Sequence, residues 1–273
     1  MSKIKFYITT LLFAISSICF AQKNEQSTHR CVYNISYVKD TTTMQQGKED
    51  LFIVEIGRDF TKGYSYDSFV FDSLLSTPAG MRYIADGVLA GTYRHNSHDF
   101  SLFRDAVLYK NYKTNKLQIL DKIDTSPFVY EDELKSQTWE IQHDTLTIQG
   151  YLCQKATCYY RGRNYEAWFT PEIPISEGPW KFFGLPGLIV KIYDTQRHYD
   201  FELAGFQKSD KIINMTIPGK PQKISRKKFL LTLTGDGAKK IVEANWAKVG
   251  VTLGKDNKVW KYYERKYDYI EKY

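Results

Sequence analysis

The sequence predicts a mainly β domain of α+β class, built on one antiparallel curved sheet with a few helices toward the C-terminal end. Three observations carry that expectation. Aromatic residues are abundant, with 21 Tyr, 16 Phe and 5 Trp, and aromatics favour half-buried pleated surfaces. Short apolar segments recur about every ten residues with polar turns between them, the rhythm of a meander rather than of alternating strands and helices. Helical spacing with capping residues gathers after Ser225. A half-barrel is the favoured architecture and a β-sandwich the alternative.

Lys3 and Lys5 precede an apolar run from Phe6 to Phe20 that ends at Ala21. That is the layout of a secretory signal peptide over residues 1–21, too short and wrongly flanked for a membrane span. Cys19 follows Ile18, where a lipid-attachment signal needs a small residue, so soluble export is expected. Cleavage would leave 273 − 21 = 252 residues and, with two lysines removed, a formal charge of +5 in place of +7. Residues 22–273 are read as a single domain. So small a positive surplus suits contact with anionic surfaces and does not call for nucleic acid.

The polar run 22–30 is expected to be loose. Cys31 to Val38 and Leu51 to Ile56 read as strands joined by a polar connection. Asp67 to Leu75 fits either a short helix or an irregular strand. His95, His98 and Asp99 form the one histidine cluster, a weak candidate for a metal because no fourth ligand lies nearby; a polar surface loop is the plainer reading. Ser101–Tyr112, Leu117–Ile123, Phe128–Tyr130, Thr138–Ile141 and Leu146–Tyr160 continue the meander. Arg161-Gly162-Arg163-Asn164 should turn Cys153–Tyr160 back on Tyr165–Phe169 as a hairpin.

Next comes the stretch on which the chain is centred. Pro171, Pro174, Pro179 and Pro186, four of the eight prolines, interrupt regular structure over about seventeen residues, longer than most connections. Trp180, Phe182 and Phe183 cluster within it, and Leu185-Pro186-Gly187-Leu188 has the residues of a type II turn. Two readings stand: a hydrophobic plug over a β core, or a recognition surface built on Trp180, Phe182, Phe183, Leu185 and Pro186. Leu188–Ile192 and His198–Gly205 then return as strands. Ser225 caps one helix, Asp236 begins another that Gly250 stops, and the tail from Trp260 has helical spacing.

Export permits disulfides, and Cys31, Cys153 and Cys158 remain after cleavage. Cys153 and Cys158 would stand about 16 Å apart on one extended strand, beyond bridging distance. A bridge would therefore use Cys31 with one of them; free buried thiols are the alternative.

Gly184-Leu185-Pro186-Gly187-Leu188-Ile189 is, letter for letter, the hexapeptide that names the GLPGLI family of bacterial envelope proteins. Gly150–Ala156, Arg161-Gly162-Arg163, Ala167–Thr170, Ile173-Pro174 and Gly178–Phe182 resemble that family in order, closely from about Trp139 to Phe201. Asp268-Tyr269-Ile270-Glu271 is similar to an Asn-Pro-Ile-Glu-like run near the end of such proteins, without the proline. The resemblance implies export to the periplasm or outer envelope of a Gram-negative-type bacterium. It implies no reaction, since the family has no established activity.

No nucleophile elbow, His-Glu-x-x-His, Walker loop or dinucleotide fingerprint occurs, and no cofactor is expected. The sequence thus points to an exported, non-enzymatic binding or accessory protein for an apolar ligand, a lipid or an envelope partner. An envelope hydrolase with dispersed acids and histidines, or a scaffold docking to a larger assembly, are the alternatives. No sequence feature sets an oligomeric state.

Overall fold

The computed structural model describes residues 24–41, 43–47, 49–89, 106–214, 217, 219–233, 235–248, 250–252, 254 and 270–271. In order these form β1 (Asn24–Gln26), β2 (His29–Asp40), β3 (Gln45–Gln46), β4 (Asp50–Ile56), β5 (Phe60–Ser65), α1 (Tyr66–Leu75) and α2 (Pro78–Leu89). Then follow β6 (Val107–Asn111), β7 (Lys116–Ile123), β8 (Ser126–Glu133), β9 (Glu140–Ile148), β10 (Tyr151–Tyr160), β11 (Arg163–Thr170), β12 (Leu188–Asp194) and β13 (Tyr199–Lys208). The chain continues through β14 (Ile212–Asn214), β15 (Gln222–Lys223), α3 (Arg226–Thr232) and α4 (Gly235–Lys248). The proposed signal peptide, most of the tail, and His95, His98 and Asp99 lie outside the described residues.

One large sheet runs β15-β8-β7-β6-β5-β4-β2-β13-β12-β11-β10-β9, with β3 beside β2. Every pair is antiparallel except β15 with β8. Two meanders are thus joined edge to edge where β13 pairs β2 from Tyr199↔Tyr37 to Lys208↔His29. The mainly β fold with C-terminal helices stands, and the sandwich alternative is corrected: the core lies against one open sheet.

That sheet must curl strongly. β8 and β10 are nine strands apart along it, about 43 Å on a flat sheet at ~4.8 Å per strand. Yet Arg161, at the end of β10, forms an ion pair with Asp132 on β8. Residues that alternate inward, among them Phe52, Leu108, Ile119, Tyr130, Tyr165 and Phe201, are almost fully buried inside the curve.

Local chemistry explains the elements. Arg161 and Gly162 both have positive φ, the two-residue hairpin turn that fits the strand twist, and Tyr160 pairs with Arg163 across it. Ser65 resolves the ambiguous segment as helix α1, because its hydroxyl accepts from Ser68 N–H at 3.3 Å and so satisfies an open first-turn donor. Ser225 caps α3 in the same way through Lys228 N–H. Asp236 lies inside the first turn of α4 rather than ahead of it.

The expected loose segment 22–30 is also corrected over its described part. Asn24–Gln26 pair with β14, and the Glu25 carboxylate accepts from the N–H groups of Arg58, Asp59 and Phe60. That carboxylate straps the N-terminal segment to the β4–β5 turn.

Candidate functional site

Between β11 and β12 the prolines prevent a ladder, and residues 171–187 fold inward to fill the curve. Glu177 and Phe183 form an isolated bridge. The backbone closes on itself through Glu177 N–H to Ile175 C=O, Phe182 N–H to Pro179 C=O and Ile189 N–H to Glu177 C=O. The type II turn is corrected. Gly187 N–H donates to Leu185 C=O at 2.8 Å while Leu188 N–H goes to Ile173 C=O, so the chain turns tightly around Pro186. Gly187 is required by proximity: a Cβ there would lie 2.1 Å from the Thr170 carbonyl oxygen. Gly184, at φ 99°, would press a Cβ to 2.5 Å from that of Ser136.

Trp180, Phe182 and Leu185 are 2%, 0% and 1% exposed. They are core, so the recognition-surface reading of these three is corrected to the plug reading; Phe183 is half-buried and Pro186 exposed. Phe182 meets Tyr165 and Tyr160 edge-on, and Trp180 does the same to Phe52. Trp180 holds a left-handed φ of 53°, kept there by burial and by its indole N–H, which donates to Glu271. Leu188 and Ile189 complete the buried hexapeptide, and Tyr33 on β2 donates its hydroxyl to Ile189 C=O.

Three enclosed ion pairs surround the plug. Glu177 accepts from Lys110 at 2.7 Å, from Thr61 at 2.9 Å and from the Tyr112 hydroxyl. Arg163 pairs with Asp194 at 2.9 Å over the Tyr199 ring. Lys181 pairs with Glu271, which also takes Arg226 at 2.7 Å. The Lys181 ammonium lies over the rings of Tyr130 and Trp180. Burial alone would raise the Glu271 pKa, but two cations outweigh it and hold the carboxyl below its ordinary value. Burial pulls Lys181 below the ordinary lysine value; Glu271 and, more weakly, Asp132 oppose the shift, and Arg226 adds to it. Each of these enclosed charges thus faces an opposite one, as desolvated ions require.

Cys31, Cys153 and Cys158 are all free and buried, which corrects the disulfide expectation. Burial raises all three thiols, Cys153 to about 11 and Cys158 to about 12, which makes them poor nucleophiles. Among the described residues no group of three or more His, Cys, Asp or Glu could hold a metal ion, and no helix is long and apolar enough to cross a membrane. His29 opens β2 and stacks on Phe206, His143 is exposed on edge strand β9, and His198 touches Arg163 at the β12–β13 turn. No two of these are gathered with acids into a cleft.

Open space lies on the other face of the sheet. A pocket of about 570 Å³ is bounded by β5, β6, β7, α1 and residues near β14. Its apolar walls include Tyr64, Phe69, Val107, Tyr109 and Leu120, and it also holds Lys62, Lys122 and Asp72. Helix α1 buries none of its own residues and leaves Phe69 half exposed at the rim. No single stretch of sequence signals this pocket, because β5, β6, β7, α1, Pro127 of β8 and Asn214 of β14 all contribute to it.

Residues 160–191 match the family model described as "Protein of unknown function (Porph_ging)". They run from the end of β10 through the plug into β12, the part whose burial was just described. Among solved structures, two crystal forms of PNGF-II are similar to this chain at 15% identity, covering 75% of it, with TM-scores of 0.48 and 0.45. The chain spans 32% of the length of those PNGF-II chains. No curated protein matches it.

Proposed function

We propose that the chain is an exported, non-enzymatic binding or accessory protein of the bacterial envelope, periplasmic or at the outer envelope, that carries an apolar ligand. The observation that carries this reading is the 570 Å³ pocket on the outer face of β5–β7, within the size range of small-molecule sites. Ring and aliphatic surface from Tyr64, Phe69, Val107, Tyr109 and Leu120 forms its apolar wall, and Lys62, Lys122, Asp72, Ser65, Ser68, Thr125 and Asn214 supply polar groups around it. The signal-like segment 1–21 and the likeness of residues 139–201 to GLPGLI proteins support the compartment. The plug takes no part in binding here; it fills the curve and so gives β5–β7 a rigid backing.

Native mass spectrometry of the protein purified gently from its own envelope tests the reading. A retained apolar molecule that is missing from a folded Val107→Trp variant is the expected result. A clean apo mass for the unaltered protein would overturn it.

A docking role has one observation of its own. Among the described residues strand β9 is an edge of the sheet, and Ile141, Leu146, Leu152 and Tyr159 are exposed on and beside it. Such an edge can accept a strand from a partner, and a partner that protects β9 amides from exchange would support that second reading.

A further inference from the structure

We infer that the pocket on the outer face of β5–β7 takes an apolar monocarboxylate of the fatty-acid type, with Lys62 as the counter-ion of its head group. This rests on the reading of the chain as a binding protein and adds the ligand class. Register places Lys62 on β5 directly between Glu55 on β4 and Tyr109 on β6. Its ammonium lies 5.4 Å from the Tyr64 ring centre and 5.6 Å from that of Tyr109.

The other charges nearby are already engaged. Glu55 binds Arg30 and accepts from the Tyr64 hydroxyl, and the pocket's second lysine, Lys122, pairs with Asp72 at 3.0 Å. Among the described residues Lys62 is therefore the pocket's cation without an ion pair. Burial depresses its pKa, with Glu55 opposing. A desolvated cation beside apolar walls is relieved by an incoming anion, and two tyrosine rings with a Glu55 carboxylate already held by Arg30 relieve it only partly. Two lysines against one aspartate leave the lining with one positive charge, which selects a single negative head group over a neutral or cationic one. Val107, Leu120 and Phe69 offer the apolar body its contact.

The test is calorimetric titration of the delipidated protein with decanoate, decanol and decyltrimethylammonium. Decanoate should bind at least tenfold more tightly than decanol, and the ammonium should not bind. Lys62→Met should erase the preference for decanoate over decanol, and Lys62→Arg should keep it. Phe69→Ala should weaken both ligands to the same degree. Melting temperatures matching the unaltered protein identify the variants fit for the comparison. Equal affinity for decanoate and decanol in the unaltered protein would overturn the role of Lys62 and leave the apolar-ligand reading standing. Binding of none of the three would overturn both.

Discussion

On the inner face of the sheet Lys110 and Lys181 are enclosed with a carboxylate each. On the outer face Lys62 lies between two tyrosine rings with no ion pair among the described residues. The same side chain thus serves two ends. Inside, a cation is sealed only where a partner comes with it, because a lone buried charge is costly. Outside, a half-buried cation beside open volume is left for something the chain does not itself supply. The aromatic stretch, which draws the eye in the sequence, belongs to the first class. The more ordinary-looking strands β5 to β7 belong to the second.

The largest expected effect comes from breaking the inner set. Glu271→Ala strands Lys181 in the core and should cost about 3–5 kcal/mol in urea unfolding. Adding Lys181→Met should recover part of that loss, since it removes the orphaned charge. A Glu271→Ala variant as stable as the unaltered protein would break the contrast.

Gly187→Ala comes next. Its Cβ would sit against the Thr170 carbonyl, and such overpacking costs about 1–3 kcal/mol. Gly205→Ala, whose Cβ would meet nothing within 4 Å, is the control and should be close to neutral in the same unfolding series.

The pH dependence has a definite sign. The folded pKa of Glu271 is depressed, so its contribution is complete above the unfolded glutamate value of about 4.3 and is lost as pH falls below it through the folded value. Thermal melts should therefore show a steeper loss of stability below about pH 4.3 in the unaltered protein than in Glu271→Gln.

The smallest effect is expected outside. Lys62→Met should change stability by no more than about 0.5 kcal/mol. The three buried thiols should also resist alkylation at pH 8 in the folded state and react on unfolding, because their pKa values are raised by burial.

Much of this architecture was legible in the sequence. Alternation marked β2, β4, β7 and β10–β13, the prolines bounded the plug, and Ser225 announced α3. What escaped was either short or distant. Asn24–Gln26 has no apolar alternation, yet it forms β1 through Glu25 and β14. Helix α2 had its signal in Thr77-Pro78, where the Thr77 hydroxyl accepts from Gly80 N–H and proline suits the first helical position. Burial of the plug was not readable, because Trp180, Phe182 and Phe183 suit a core and a surface equally. The deciding contacts join residues as far apart as Trp180 and Glu271. The pocket needs α1 to lie over β5–β7, a packing fact that local pattern does not contain.

Hydrogen exchange with and without decanoate tests the contrast of the two faces most directly. The account predicts that amides of 177–189 exchange as slowly as the core strands in both conditions, and that added protection is confined to residues 60–75 and 107–122. Fast exchange in 177–189 that slows on adding decanoate would contradict it, and would return the aromatic stretch to the role of binding surface.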